Sequence, residues 1–354
     1  MANGRDSSID IAKGIGIFLL VLGHTDFSEY GVSVIHMAHM PLFFFFSGYC
    51  FKEKYLDDFH SFLMQRIKGL YIPIIKWGGL FLLLHNLFFK MNIYNEYFGF
   101  HGVGSHLMSI EEMLKNVFML VTTMNTSSLL LGGYWFLKAL FISSIISYVI
   151  IKITKSYVIY TIPLLIIASI VMTNENMPYL IVRLYGRCSL ASAVFLAGYI
   201  YKKKELKLED KPAYVIPFSL ILVFLGGYYF PMRMGDPRGA VINYFLYYLT
   251  AFWGVMLIFS VSKMINNGRI IRKFWIYVGR NTMIVLTWHL LCFKIITYII
   301  VNVYNYPDIH LAEFPVIGER SIQGWWIFYL LVGFGFPLLV KKQSIVFARQ
   351  LRND

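Results

Sequence analysis

The sequence predicts an all-α fold, a polytopic integral membrane helical bundle of about ten transmembrane helices. Three observations predict it. Of 354 residues, 58% are hydrophobic and only 14% charged, too little polar surface for a soluble chain of this length. Apolar runs of helical length recur from end to end. The basic residues fall in short segments between those runs, so the net charge of +13 reads as a topology signal and not as a nucleic-acid footprint.

The runs lie at about 9–27, 32–51, 70–89, 134–153, 157–172, 187–201, 213–230, 241–262, 276–300 and 324–340. The first stays as a span because it is long, holds Lys13 and lacks a small-residue cleavage site. With the N-terminus in the cytoplasm, twenty basic residues fall in inner segments and seven in outer ones, which sets the orientation. An even number of spans returns the C-terminus to the same side. The outer segment at about 90–133 is the longest, and its residues 107–121 carry the pattern of an interfacial amphipathic helix. Tyr134 with Trp135, and Trp325 with Trp326, sit where interface aromatics are expected. Cys50, Cys188 and Cys292 lie in apolar runs without CxxC spacing, so neither a disulfide nor a metal site is expected. No internal repeat is visible, in contrast to many secondary transporters. Residues 1–354 read as one membrane-embedded domain.

The first run, from Ile9 to Asp26, carries Lys13 and His24 among apolar residues. An ionisable group in hydrocarbon costs several kcal/mol unless it faces a cavity or a partner, which makes each a functional candidate. Eleven residues at about 100° each bring both side chains to one helix face, roughly 16 Å apart along the axis. By helical rise, Lys13 and Lys76 fall in the inner third, with Arg66 and Lys68 at its rim, while His24, His39, His85 and His289 fall deeper. Cations near the cytoplasm and imidazoles further in would suit an anionic cytosolic cofactor with a long arm. Plainer readings stand beside this one. Lys13 and Lys76 can snorkel to the inner headgroups, Lys13 with Asp10 as its ion-pair partner. A histidine in a span is often an interhelical hydrogen-bonder, the preferred reading for His36 and His85. Ser47 with Gly48 reads as a close-packing pair before it reads as a nucleophile.

The Lys13-x10-His24 pair resembles the Arg-x10-His signature of the acyltransferase-3 family of integral membrane acyltransferases, with Lys in place of Arg. The stretch from His39 through Met40, Pro41 and the Phe43–Phe46 run to Ser47-Gly48 is similar to HMPLFFFxSG of its fucose 4-O-acetylase-like branch. Arg66-Ile67-Lys68 before Pro73 resembles the Arg-x-Arg element, again with one Lys. Trp135-Phe136-Leu137, Phe195-Leu-Ala-Gly198 and Gly279-Arg-Asn-Thr282 followed by His289 are further landmarks in the same order.

The resemblance implies a bacterial inner-membrane enzyme moving an acyl group, usually acetyl from acetyl-CoA, to a hydroxyl of a glycan or lipid-linked saccharide. It would place CoA contacts on Lys13, Arg66 and Lys68 and the catalytic role on His24. His39 and His289, at similar depth, are assigned to lining and orienting the site. Lysine keeps the charge but loses the planar fork of arginine for phosphate. Acyl transfer from a thioester needs the attacking hydroxyl to lose its proton, a task for a neutral imidazole near pH 7. Attack by the imidazole itself, giving an acyl-histidine, is the other route. The competing function is a transporter or flippase of acyl groups or glycan precursors. The absence of repeats and the Lys13/His24 pair favour the enzyme.

Overall fold

A computed structural model describes residues 6–99, 103–173, 185–237 and 239–350, with side chains as far as 343. Arg5, Arg183, Arg238 and Arg352, counted in the orientation argument, lie outside the described residues. Among the described residues the regular secondary structure is helical, with bridge residues at Val103 and between Arg233 and Asp236. Six helical stretches among them are long and apolar enough to cross a membrane: Glu29–Tyr49, Leu129–Met172, Pro212–Tyr229, Val241–Asn266, Thr282–Val303 and Gly318–Gln343. The chain folds into two compact units. One holds Met1–Leu20, Glu29–Leu70 and Phe136–Arg280; the other holds Val21–Ser28, Tyr71–Trp135 and Asn281–Asp354.

Several predicted runs come out broken. The first is α1 (Ser7–Gly23), 17 residues long. The second is α2 (Glu29–His36) and α3 (His39–Tyr49), interrupted at Met37 and Ala38. After α4 (Phe59–Arg66), a π-helical turn over Ile67–Tyr71 leads into α5 (Ile72–Leu83) and α6 (His85–Lys90), so the third run is not one straight helix. In the outer segment, α7 (Ile110–Thr123) forms where an amphipathic helix is predicted. Its start is a capping box: Ser109 Oγ accepts from Glu112 N–H, and the Glu112 carboxylate accepts from Ser109 N–H.

The 44-residue stretch Leu129–Met172 is too long for one crossing at 1.5 Å per residue. It divides into α8 (Trp135–Thr154) and α9 (Thr161–Met172), with Lys155 at φ 48° in the joint. The series continues with α10 (Arg187–Lys203), α11 (Pro212–Tyr229) and α12 (Val241–Asn266). The ninth predicted run, at about 276–300, is two helices, α13 (Ile270–Arg280) and α14 (Thr282–Val303), parted at Asn281. The last helical stretch, α15 (Gly318–Gln343), contains π turns at Ser321–Trp325 and Leu331–Gly335.

In the first unit, α3 and α10 meet backbone to backbone. A Cβ at Gly48 would stand 1.8 Å from the Phe195 carbonyl oxygen, and one at Gly198 would stand 2.0 Å from that of Phe45. Two glycines therefore let two helices touch, as expected where lipid removes most of the hydrophobic drive for helix association. Below this crossing Phe51, Tyr55, Phe62, Tyr148, Phe195 and Tyr199 form an aromatic core. On α1, Asp10 is 1% exposed and takes an ion pair from Arg280 of α13 at 3.1 Å. A Cβ at Gly279 would stand 1.7 Å from the Asp10 carbonyl oxygen, so only glycine fits that landmark position.

In the second unit, α7 lies on α5, with Leu120 filling the space over Gly78 and Tyr71 donating to the Val121 carbonyl at 2.8 Å. Asn86 holds the chain before α7 from both sides, donating to Met108 O at 2.9 Å and accepting from Met108 N–H at 2.8 Å.

Candidate active site

His24 is the first residue beyond α1. The helix closes with bonds of the i→i+3 kind, His24 N–H to Val21 O and Thr25 N–H to Leu22 O, both 3.1 Å, and Asp26 at φ 50° ends the turn. The 100° count that puts His24 on the Lys13 face holds only as far as Gly23; the turn sets the direction of the imidazole. That turn is held in place: Thr25 Oγ1 donates to Leu22 O at 2.8 Å, and Ser321 Oγ of α15 donates to the Thr25 carbonyl.

His289 on α14 is fully buried and lies beside His24, ring centroids 5.2 Å apart and planes tilted by 36°. Its Nδ1 is 3.0 Å from both the Val285 and the Leu286 carbonyl oxygens. Carbonyls only accept, so Nδ1 carries the proton and the neutral ring presents its lone pair at Nε2. That Nε2 is buried and has no hydrogen-bond partner among the described residues. A buried acceptor without a donor is costly, and such groups are uncommon unless something else uses them. Phe293 packs edge-on to the ring at 5.9 Å. Two residues earlier, Thr287 bonds the Tyr134 hydroxyl at 2.7 Å, and Gly133 admits Leu286 against the chain, which seats α14 on the segment before α8.

Along the same helix Trp288, Leu291, Cys292, Ile295 and Tyr298 line a cavity of about 580 Å³, nearly all apolar. Lys294 also reaches it, its ammonium donating to the Glu313 carbonyl at 2.6 Å.

In the first unit, Arg66 ends α4 at the π-helical turn. It is half-buried, stacks 5.1 Å over Phe62 and donates to Ser47 Oγ at 3.1 Å. Lys68 lies within the turn and is exposed. Lys13 is half-buried with no ion-pair or hydrogen-bond partner among the described residues, and Asp10, its predicted partner, is engaged by Arg280. Lys76 is exposed and sits 4.7 Å over the Trp77 ring, in keeping with the snorkelling reading. His39 opens α3, 4% exposed, with Nδ1 2.8 Å from Ile35 O and its ring 5.0 Å from that of His36. His39 thus bridges the break between α2 and α3.

The structure groups His24 with His289, Arg66 with Ser47, and His39 with His36. Sequence reasoning missed the lone pair on His289, the Arg66–Ser47 bond and the Asp10–Arg280 pair. The last has a trace in the sequence, since an acid and a base both sit near the ends of apolar runs. The other two depend on how far apart segments pack. Among the described residues no group of three or more His, Cys, Asp or Glu is placed to hold a metal ion.

The chain is 31% identical over 158 residues to the nodulation protein NolL of Mesorhizobium japonicum, covering 41% of this chain and 35% of that protein. It is 31% identical over 159 residues to the nodulation protein NolL of Sinorhizobium fredii, covering 41% and 37%. The match thus spans about a third of each relative's length. No solved structure matches. The acyltransferase-3 family, described as an acyltransferase domain, matches residues 6–340, nearly the whole of the sequence, and this membrane protein belongs to that family.

Proposed function

We propose that the chain is a membrane O-acetyltransferase, moving acetyl from cytosolic acetyl-CoA to a hydroxyl of a cell-surface or lipid-linked glycan. In this reading ten spans form one membrane-embedded domain in the bacterial inner membrane, with both termini in the cytoplasm. The observation that carries the proposal is the buried, unpartnered Nε2 of His289 beside His24, in a chain of an acyltransferase family. A neutral imidazole nitrogen with its lone pair exposed to a reacting hydroxyl is the group that such a transfer requires.

His24, in the mobile-proton role, takes the acceptor hydroxyl's proton or carries the acyl group, and His289 supplies a second basic nitrogen next to it. Lys13, Arg66 and Lys68 take the phosphates of the donor. Lys13 fits such a polyanion because its half-buried ammonium has no partner among the described residues, and Arg66 because Ser47 orients its guanidinium. His39 orients the chain between α2 and α3. The apolar cavity along α14 suits the hydrocarbon part of a lipid-linked acceptor.

The test is incubation of purified protein in detergent with labelled acetyl-CoA and candidate glycans. Acetylated glycan is the expected product, and its formation without a membrane barrier excludes a pure transporter. Uptake of label into vesicles with no acetylated product would overturn the reading in favour of transport.

A further inference from the structure

The helix α13 has a side that acyl transfer does not use. At 100° per residue, Ile270, Ile271, Phe274 and Val278 fall within one arc of about 100°. Arg272, Lys273 and Arg280, with Arg269 just before the helix, fall in the opposite arc. Ile270 is 85% exposed, Ile271 61% and Phe274 49%, and Arg269, Arg272 and Lys273 are exposed beside them. Arg272 also donates to Asn266 at the end of α12 at 2.9 Å. No Asp or Glu occurs between Lys263 and Arg280.

The other end of the helix is anchored on α1. Arg280 and Gly279 hold Asp10, a Cβ at Gly14 would stand 2.8 Å from the Trp275 carbonyl oxygen, and Phe18 meets the Trp275 ring edge-on at 6.0 Å. An anchored C-terminal half and a bare N-terminal half make an asymmetric element. The bare half joins three large apolar side chains to three cations.

We infer that α13 lies in the plane of the membrane surface and binds anionic phospholipid headgroups. Ile270, Ile271 and Phe274 enter the acyl region, and Arg269, Arg272 and Lys273 reach phosphates at headgroup level. Two observations select lipid as the occupant. The helix stands between α12 and α14, both long and apolar enough to cross the membrane, so the chain on either side of it is tied to the bilayer. In its bare N-terminal half every charged residue is basic, Arg269, Arg272 and Lys273, which complements an anionic leaflet. Because Gly14 follows Lys13, the same anchor also fixes the backbone that carries Lys13.

The experiment uses the full chain and does not depend on acyl transfer. An Ile271→Cys variant in a Cys50→Ser background is labelled with an environment-sensitive fluorophore. It is reconstituted in vesicles of phosphatidylcholine alone or of equal parts phosphatidylcholine and phosphatidylglycerol. The expected result is quenching by brominated lipid and not by aqueous iodide, more strongly with phosphatidylglycerol. In native mass spectrometry, the triple variant Arg269→Gln, Arg272→Gln, Lys273→Gln should retain phosphatidylglycerol roughly tenfold less well than wild type. The variant Arg269→Lys, Arg272→Lys keeps the charge and should retain it like wild type. Quenching by iodide alone, equal lipid retention by the glutamine variant at an unchanged unfolding transition, or burial of the probe in detergent dimers would overturn the inference.

Discussion

An imidazole buried among apolar side chains must place its one proton on one of two nitrogens, and at His289 the backbone decides which. Two carbonyl oxygens at 3.0 Å hold the proton on Nδ1, leaving Nε2 as a base that nothing else in the described residues occupies. The asymmetry gives a clean substitution. In His289→Asn the side-chain amide can donate where Nδ1 does, while the Nε2 lone pair is gone. That variant should keep its unfolding transition and lose about 10²–10⁴ in acetyl transfer rate, the range for a lost general base. His24→Ala should lose at least as much, since His24 carries the reacting role in the proposal. Transfer by either variant within a few-fold of wild type would remove that residue from the chemistry. Ser47 illustrates the opposite outcome. Read from sequence as a packing residue before a nucleophile, it accepts the Arg66 guanidinium at 3.1 Å, next to a glycine that lets α3 touch α10.

Helices in this chain meet where side chains are absent, which makes their glycines unequal. Adding one methyl in Gly48→Ala would force α3 away from the Phe195 carbonyl, and overpacking of this kind costs about 1–3 kcal/mol. Gly79→Ala in α5 meets nothing within 4 Å and should be neutral or stabilising by about 0.5–1 kcal/mol. Unfolding transitions in detergent that move together would refute the packing argument. The start of α7 offers a second element-level test. Glu112 lies below its ordinary carboxylate value because its carboxylate accepts from Ser109 N–H first, and from His106 and Ser109 side chains besides. A lowered value means the support is complete above the ordinary carboxylate range and is lost as pH falls through and below it. Hydrogen exchange in the first turn of α7 should therefore lose protection at acid pH in wild type, and that protection should be nearly pH-independent in Glu112→Gln, whose side chain does not titrate. The helices themselves were legible, because apolar runs and an S-x-x-E cap are local signals. Their breaks were not. The interruptions at Met37–Ala38 and Asn281 fall inside predicted runs, and beside the second the contact of Gly279 with Asp10 involves a segment that no single run contains.

At the scale of the whole chain, orientation and donor binding rest on the same distribution of charge. A cysteine introduced at Ser105 should react with an impermeant reagent from outside the cell, and one at the exposed Lys204 should not. The reverse pattern would invert the topology and move every proposed donor contact to the wrong side for cytosolic acetyl-CoA. Of the site, the histidines and cations were legible singly, since an ionisable residue in an apolar run stands out; which of them meet was a matter of packing. Lys13 is the sharpest remaining case. Its sequence offered a snorkelling lysine paired with Asp10, yet Asp10 is held by Arg280 and the half-buried ammonium of Lys13 has no partner among the described residues. A cation left in that state is favourably matched by an anion from outside the chain. If the anion is a donor phosphate, Lys13→Ala, Arg66→Ala and Lys68→Ala should each raise the apparent acetyl-CoA constant by roughly three- to tenfold, equivalent to about 0.7–1.4 kcal/mol. The losses should rank with burial, Lys13 and Arg66 above exposed Lys68, because added salt screens the exposed charge most. Lys13→Arg should remain active, since it restores the family's own residue and adds a planar fork for phosphate. Equal acetyl-CoA affinity in Lys13→Ala and wild type would return Lys13 to the snorkelling role and leave Arg66, braced by Ser47, to carry the donor contact.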